Sequence, residues 1–192
     1  TIVGDKLYVG DLLELVEIDL ETGHITNTYT GENVRYFNDV TSDEEGNVYV
    51  SDMHASAIYK LDTNKNFSEW FVSPDIESAN GLLVTGDDLI IGGWGYFNDG
   101  KAINAGIGKL HKMDLATQKL TTITPEPLGN LDGIQAIDDN SYFVSDWKQG
   151  KVFKVYKDGS SEELLDTERG AADLWYIKEK SLLLLPLNKE NK

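Results

Sequence analysis

Apolar residues along this chain arrive in short bursts, rich in Val, Ile, Leu and Tyr and interrupted every few positions by Gly, Asp or Asn. Five bursts share one pattern: Leu7-Tyr8-Val9-Gly10-Asp11-Leu12, Val48-Tyr49-Val50-Ser51-Asp52-Met53, Leu89-Ile90-Ile91-Gly92-Gly93-Trp94, Tyr142-Phe143-Val144-Ser145-Asp146-Trp147 and Leu182-Leu183-Leu184-Leu185-Pro186-Leu187. Their starts lie 41, 41, 53 and 40 residues apart. Runs this short and this rich in β-branched and aromatic residues predict strands rather than helices. Behind each burst comes a second, alternating segment, such as Leu15 to Asp19, Ile58 to Asp62, Lys109 to Met113 and Lys151 to Val155. Outer segments such as Ile25 to Tyr29, Phe67 to Phe71 and Leu120 to Ile123 complete the units. Polar turn sequences join them, including Asp43-Glu44-Glu45-Gly46-Asn47 and Asp138-Asp139-Asn140.

Four antiparallel strands in a period of roughly 40–45 residues is the signature of a propeller blade. The expectation is an all-β, six-bladed type of propeller with about four to five blades present, and the one long interval is an insertion in the loop from Gly95 to Gly108. Six blades at this period need on the order of 260 residues, and the chain has 192. Residues 1–192 are therefore expected to form a single propeller domain lacking its first blade and its last outer strands, because an open ring exposes strand edges that soluble proteins avoid. The first residue is Thr1, with no signal-peptide pattern before the first strand.

One column of the repeat carries candidate chemistry. About ten residues before each burst stand Asn38-Asp39-Val40, Asn80-Gly81-Leu82, Asp132-Gly133-Ile134 and Asp173-Leu174. Asn-Gly and Asp-Gly pairs ordinarily mark turns, but recurrence in register at the mouth of the innermost strand predicts that these side chains converge on the central channel. Oxygen donors of this kind suit a hard divalent cation, and an Asp beside one can act as a general base.

Composition narrows the choice of partner. The chain carries 17 basic and 33 acidic side chains, a net charge of −16, which disfavours nucleic acid because too few cations are available to displace counterions from phosphates. It has no Cys, so thiolate chemistry and Cys-ligated zinc are out. No apolar run nears the roughly 20 residues of a membrane span.

The segments Tyr36-Phe37-Asn38-Asp39-Val40, Asp43 to Val50, Ser78-Ala79-Asn80-Gly81-Leu82 and Leu131-Asp132-Gly133-Ile134 resemble the gluconolactonase, regucalcin (senescence marker protein) and luciferin-regenerating-enzyme-like superfamily. The resemblance covers nearly the whole chain. It implies a six-bladed propeller with one divalent cation, calcium or zinc, in the channel, and hydrolysis of a sugar lactone or similar ester. By that resemblance Asn80 and Asp132 ligate the metal, Asp132 also serves as base, and Asn38 faces substrate or metal-bound water. The family's Glu ligand has no counterpart here. Asp173 departs from the well-characterised lactonases; it resembles a bacterial branch, which makes a periplasmic or secreted location the expectation and a cytoplasmic one the alternative. A small-molecule substrate such as a lactone is the expected partner, and a non-catalytic NHL-like propeller binding a small ligand or a protein is the competing reading.

Trp94 and Trp147 end two bursts in one column, with Met53 and Leu12 in the equivalent places. They either stack on a substrate ring or pack between blades. Asp11, Asp52 and Asp146 are expected to cap turns. His24, His54 and His111 share no ligand spacing, and Ser51 and Ser145 lack a nucleophile-elbow setting.

Overall fold

A computed structural model describes residues 1–97, 101 and 105–189. Of the three stretches left out, two fall in the Gly95–Gly108 insertion and one at the carboxyl end.

Every alternating burst becomes a strand. Four sheets of four antiparallel strands form in chain order: β1 (Ile2–Val3), β2 (Lys6–Asp11), β3 (Glu14–Asp19) and β4 (Ile25–Tyr29); β5 (Phe37–Ser42), β6 (Val48–Asp52), β7 (Ala57–Leu61) and β8 (Phe67–Val72); β9 (Ala79–Thr85), β10 (Asp88–Gly93), β11 (Leu110–Asp114) and β12 (Leu120–Thr122); and β13 (Leu131–Asp138), β14 (Ser141–Asp146), β15 (Lys151–Tyr156) and β16 (Ser161–Asp166). A two-stranded sheet, β17 (Trp175–Ile177) with β18 (Leu182–Leu184), follows. These five units are successive blades of a β-propeller. Strands β5 and β9 pack against each other, as do β9 and β13 and β13 and β17, so the first strand of each of these blades lies innermost.

The shared apolar bursts of the second, third and fourth blades are buried on both faces because each of these sheets is sandwiched between two others, which is why they read as continuous rather than alternating. Tyr8, Phe37 and Val50 pack between the first and second blades, Tyr49, Ile58, Leu82 and Ile91 between the second and third, and Ile90, Leu110, Ile134 and Val144 between the third and fourth. A polar clasp also joins the first two blades. The buried Glu17 carboxylate accepts from Lys65 Nζ at 2.6 Å, Tyr8 Oη and Tyr29 Oη at 3.0 Å, and Asn27 Nδ2 and Thr26 Oγ1 at 2.9 Å. Burial alone raises its pKa, yet Lys65 and these donors outweigh burial and hold it at about 2.

One irregularity recurs and matters for function. In β5, Phe37 pairs with Asp52 and Val40 with Val50, so two residues, Asn38 and Asp39, face the single Ser51. The same slip sets Asn80-Gly81 opposite Gly92 and Asp132-Gly133 opposite Ser145. These are β-bulges, which turn a side chain out of the alternating pattern of the strand.

Among the described residues no helix is long and apolar enough to cross a membrane.

Candidate functional site

The bulges gather distant residues at one end of the channel. Asn80 is fully buried there; its Nδ2 donates to the Leu131 carbonyl oxygen at 2.9 Å and to Asp132 Oδ1 at 3.0 Å, while its Oδ1 accepts from Asn38 Nδ2. Three residues separated by 42 and 52 positions thus form one hydrogen-bonded row across three blades. Serines underneath hold the blades in register: Ser51 Oγ accepts from Asp39 N at 3.0 Å and donates to the Asn80 carbonyl at 2.7 Å, and Ser145 Oγ accepts from Gly133 N at 2.8 Å and donates to the Ala172 carbonyl at 2.9 Å.

Above this row opens a cavity of about 440 Å³ lined by Asn38, Asn80, Asp132, Met53, Trp94, Trp147, Asn188, Tyr36 and His54. Its walls are aromatic. The Trp94 and Trp147 ring centres lie 5.8 Å apart at a 46° tilt, and Tyr36 stacks on His54 at 4.9 Å. Trp147 Nε1 donates to Asn188 Oδ1 at 3.2 Å.

Of the residues expected to act here, Asn38, Asn80, Asp132, Trp94 and Trp147 come together, and Asp173 stands apart. The serine bridges equate Ala172, not Asp173, with Asn80, and Ala171 bridges Leu187 as Leu131 pairs with Asp146. Asp173 therefore shares its position with Asp39, and like Asp39 it accepts its successor's N–H, from Leu174 at 2.9 Å as Asp39 does from Val40 at 2.7 Å. The acidic residue in Ala171-Ala172-Asp173-Leu174 draws an alignment one place too far. The same slip hides Asn188: it, and not Leu187, is the counterpart of Met53, Trp94 and Trp147, each of which donates its N–H to the residue just before an inner strand. Leu12 stays exposed and outside the cavity.

Asp39 points along the channel, where its Oδ2 accepts from Leu82 N at 2.6 Å and ties the second blade to the third. Asp52 and Asp146 are fully buried caps. Asp52 accepts from the N–H groups of Arg35, Tyr36 and Ala55, and Asp146 from those of Lys148 and Gln149. His54 lines the cavity wall, whereas His111 pairs with Glu77 at 3.4 Å away from it.

Three carboxylates dominate the electrostatics of the channel, with the Thr1 amino terminus a lesser, opposing charge on Asp39 and Asp173. Burial in the channel, then the negative charges of Asp173 and Asp39, push the Asp132 carboxyl up to about 7, against the lowering pull of the Asn80 bond. Asp39 rises to about 7 through burial and Asp173. Asp173 is raised as well.

A divalent cation shared by Asn80 and Asp132 does not fit this arrangement. The Leu131 carbonyl holds the Asn80 amide with its nitrogen toward Asp132, so the pair is donor to acceptor rather than two oxygens turned to one ion. Nor, among the described residues, do three His, Asp or Glu side chains gather as a metal cage.

No family model matches the sequence, and no curated protein matches it. Solved structures do. Virginiamycin B lyase from Staphylococcus aureus superposes with a TM-score of 0.72 at 14% identity, over 97% of this chain and 61% of that one. The fold is a β-propeller. A streptogramin B lyase matches with a TM-score of 0.61 at 21% identity, over 81% of this chain and 49% of its own. A propeller of unknown function from Bacteroides caccae gives 0.68 at 12% identity, over 96% and 66%. The chain thus spans about half to three fifths of the two lyases, and at these identities the likeness is one of fold alone. It does not single out the gluconolactonase-like superfamily.

Proposed function

We propose that the channel mouth is the active site of a hydrolase for a lactone or similar ester, in which Asp132 is the proton acceptor. One observation carries this reading: a carboxyl group with a pKa near 7 on the floor of an aromatic-walled cavity, held in place by a neighbouring amide. A base poised near the working pH transfers protons most effectively. Water adds to the ester carbonyl as Asp132 takes its proton. The carbon–oxygen bond of the ring then breaks, and the departing alkoxide recovers the proton from Asp132, leaving a hydroxy acid. Asn38 presents its amide to the substrate, and Trp94 with Trp147 flanks the ring.

The likeness of the Asn80 and Asp132 motifs to the gluconolactonase-like superfamily supports the substrate class. A calcium or zinc ion, which that likeness implies, is not required by this reading. The test is a panel of lactones assayed with and without chelator. Turnover that survives the chelator and disappears in Asp132→Asn is expected. Equal rates for wild type and Asp132→Asn remove the enzyme assignment, and turnover lost to chelator restores a role for the ion. Binding without chemistry is the competing function, as in NHL-like propellers; the bonds that tie Asn38, Asn80 and Asp132 to one another favour it.

A further inference from the structure

Asn80 occupies only Oδ1 of Asp132; among the described residues the other carboxylate oxygen receives no hydrogen bond. The charges that act on this carboxyl are negative, those of Asp173 and Asp39. Two cations, Arg169 and Lys189, already lie over the Trp147 ring at 4.7 and 5.3 Å, and neither is among the charges that act on Asp132. The cavity therefore combines an acidic floor with rings whose quadrupole attracts cations, as Arg169 and Lys189 over Trp147 show. A small, strongly hydrated metal ion needs several oxygens turned inward, and the Asn80 amide presents its nitrogen instead. An organic ammonium needs the opposite: one carboxylate oxygen to accept its N–H, and aromatic faces around its weakly hydrated carbon skeleton.

We propose that the cavity selects ligands in which a protonated amine or quaternary ammonium lies next to a flat ring, the cation seated between Asp132 and the Trp94–Trp147 wedge. This rests on reading the cavity as the ligand site. It goes further in making the substrate a cationic ester rather than a neutral sugar lactone. The cavity volume, about 440 Å³, suits a ring with a short side arm.

Calorimetric titration of the chain with phenethylamine hydrochloride and with its neutral counterpart 2-phenylethanol at pH 8 tests this directly. The amine is expected to bind at least about tenfold more tightly than the alcohol, a difference of about 1.4 kcal/mol. Asp132→Asn, which keeps the shape, is expected to bring the amine down to the alcohol's level. Equal binding of the two compounds by wild type, no binding of either, or an amine affinity untouched by Asp132→Asn each overturns the proposal. The wild-type comparison stands even if the variant fails to fold. Turnover of neutral lactones without preference for amines overturns this proposal and leaves the hydrolase reading intact. Amine binding with no ester turnover does the reverse.

Discussion

At the scale of single residues, Asp132 joins function to stability. Ester turnover is expected to rise with pH through about 7 as its carboxyl loses the proton, and Asp132→Asn is expected to lower the rate by about 100-fold or more, the usual worth of a general base; a pH–rate profile of both proteins checks this. For stability the sign is opposite. The folded-state pKa of Asp132 and Asp39 lies near 7, above the ordinary 3.8, so the folded state holds their protons longer than the unfolded chain. Stability from these groups is complete below about pH 4 and is lost as pH rises to 7 and beyond. Melting temperatures measured between pH 5 and 8 are expected to fall with pH, and Asp132→Asn is expected to flatten that slope. Asn38, Asn80 and Asp132 could be picked out in the sequence because each sits beside Asp or Gly ahead of an apolar strand. Asn188 and the position of Asp173 could not, since the final repeat has neither a Ser opposite its bulge nor a Trp at its strand end, and nothing in Ala171-Ala172-Asp173 marks which residue faces the cavity.

At the scale of strands, the bulge is what aims the site, and glycine is what lets neighbouring bulges approach. A Cβ at Gly81 would lie 1.7 Å from the Asp132 carbonyl oxygen, a backbone atom with nowhere to go. Gly81→Ala is therefore expected to cost about 3 kcal/mol or more in urea unfolding and to separate Asn80 from Asp132. Ser51→Ala removes the hydroxyl that joins Asp39 N to the Asn80 carbonyl, and a loss of about 1–2 kcal/mol is expected in the same measurement. The strands themselves were legible from their apolar bursts and turns. The bulges were not, because one extra residue leaves the hydrophobic pattern unchanged and shows only as ladder partners out of step.

At the scale of the whole molecule, the period of the repeat revealed the propeller. Apolar burial between blades dominates the contacts, but the Glu17–Lys65 clasp locks the first blade to the second through a carboxylate that is 2% exposed. Lys65→Met strands that charge and is expected to destabilise the chain by about 2–3 kcal/mol, less than for a fully buried pair because Lys65 is half exposed. With its folded pKa at about 2, below the ordinary 4.5, Glu17 contributes its stability above pH 4.5 and loses it as pH falls toward 2; acid unfolding of Lys65→Met is accordingly expected to begin at higher pH than in wild type. The bulge has a last implication. Ala172 stands where the other blades carry Asn38, Asn80 and Asp132, so one socket of the array is blank, while the ladder around every socket is held by backbone and serine. An exchange at Asn80 or Asp132 also breaks the side-chain bonds that tie the row together, whereas the alanine at position 172 has no such bond to lose, so the blank socket is the place where a side chain can change with least disturbance to the fold.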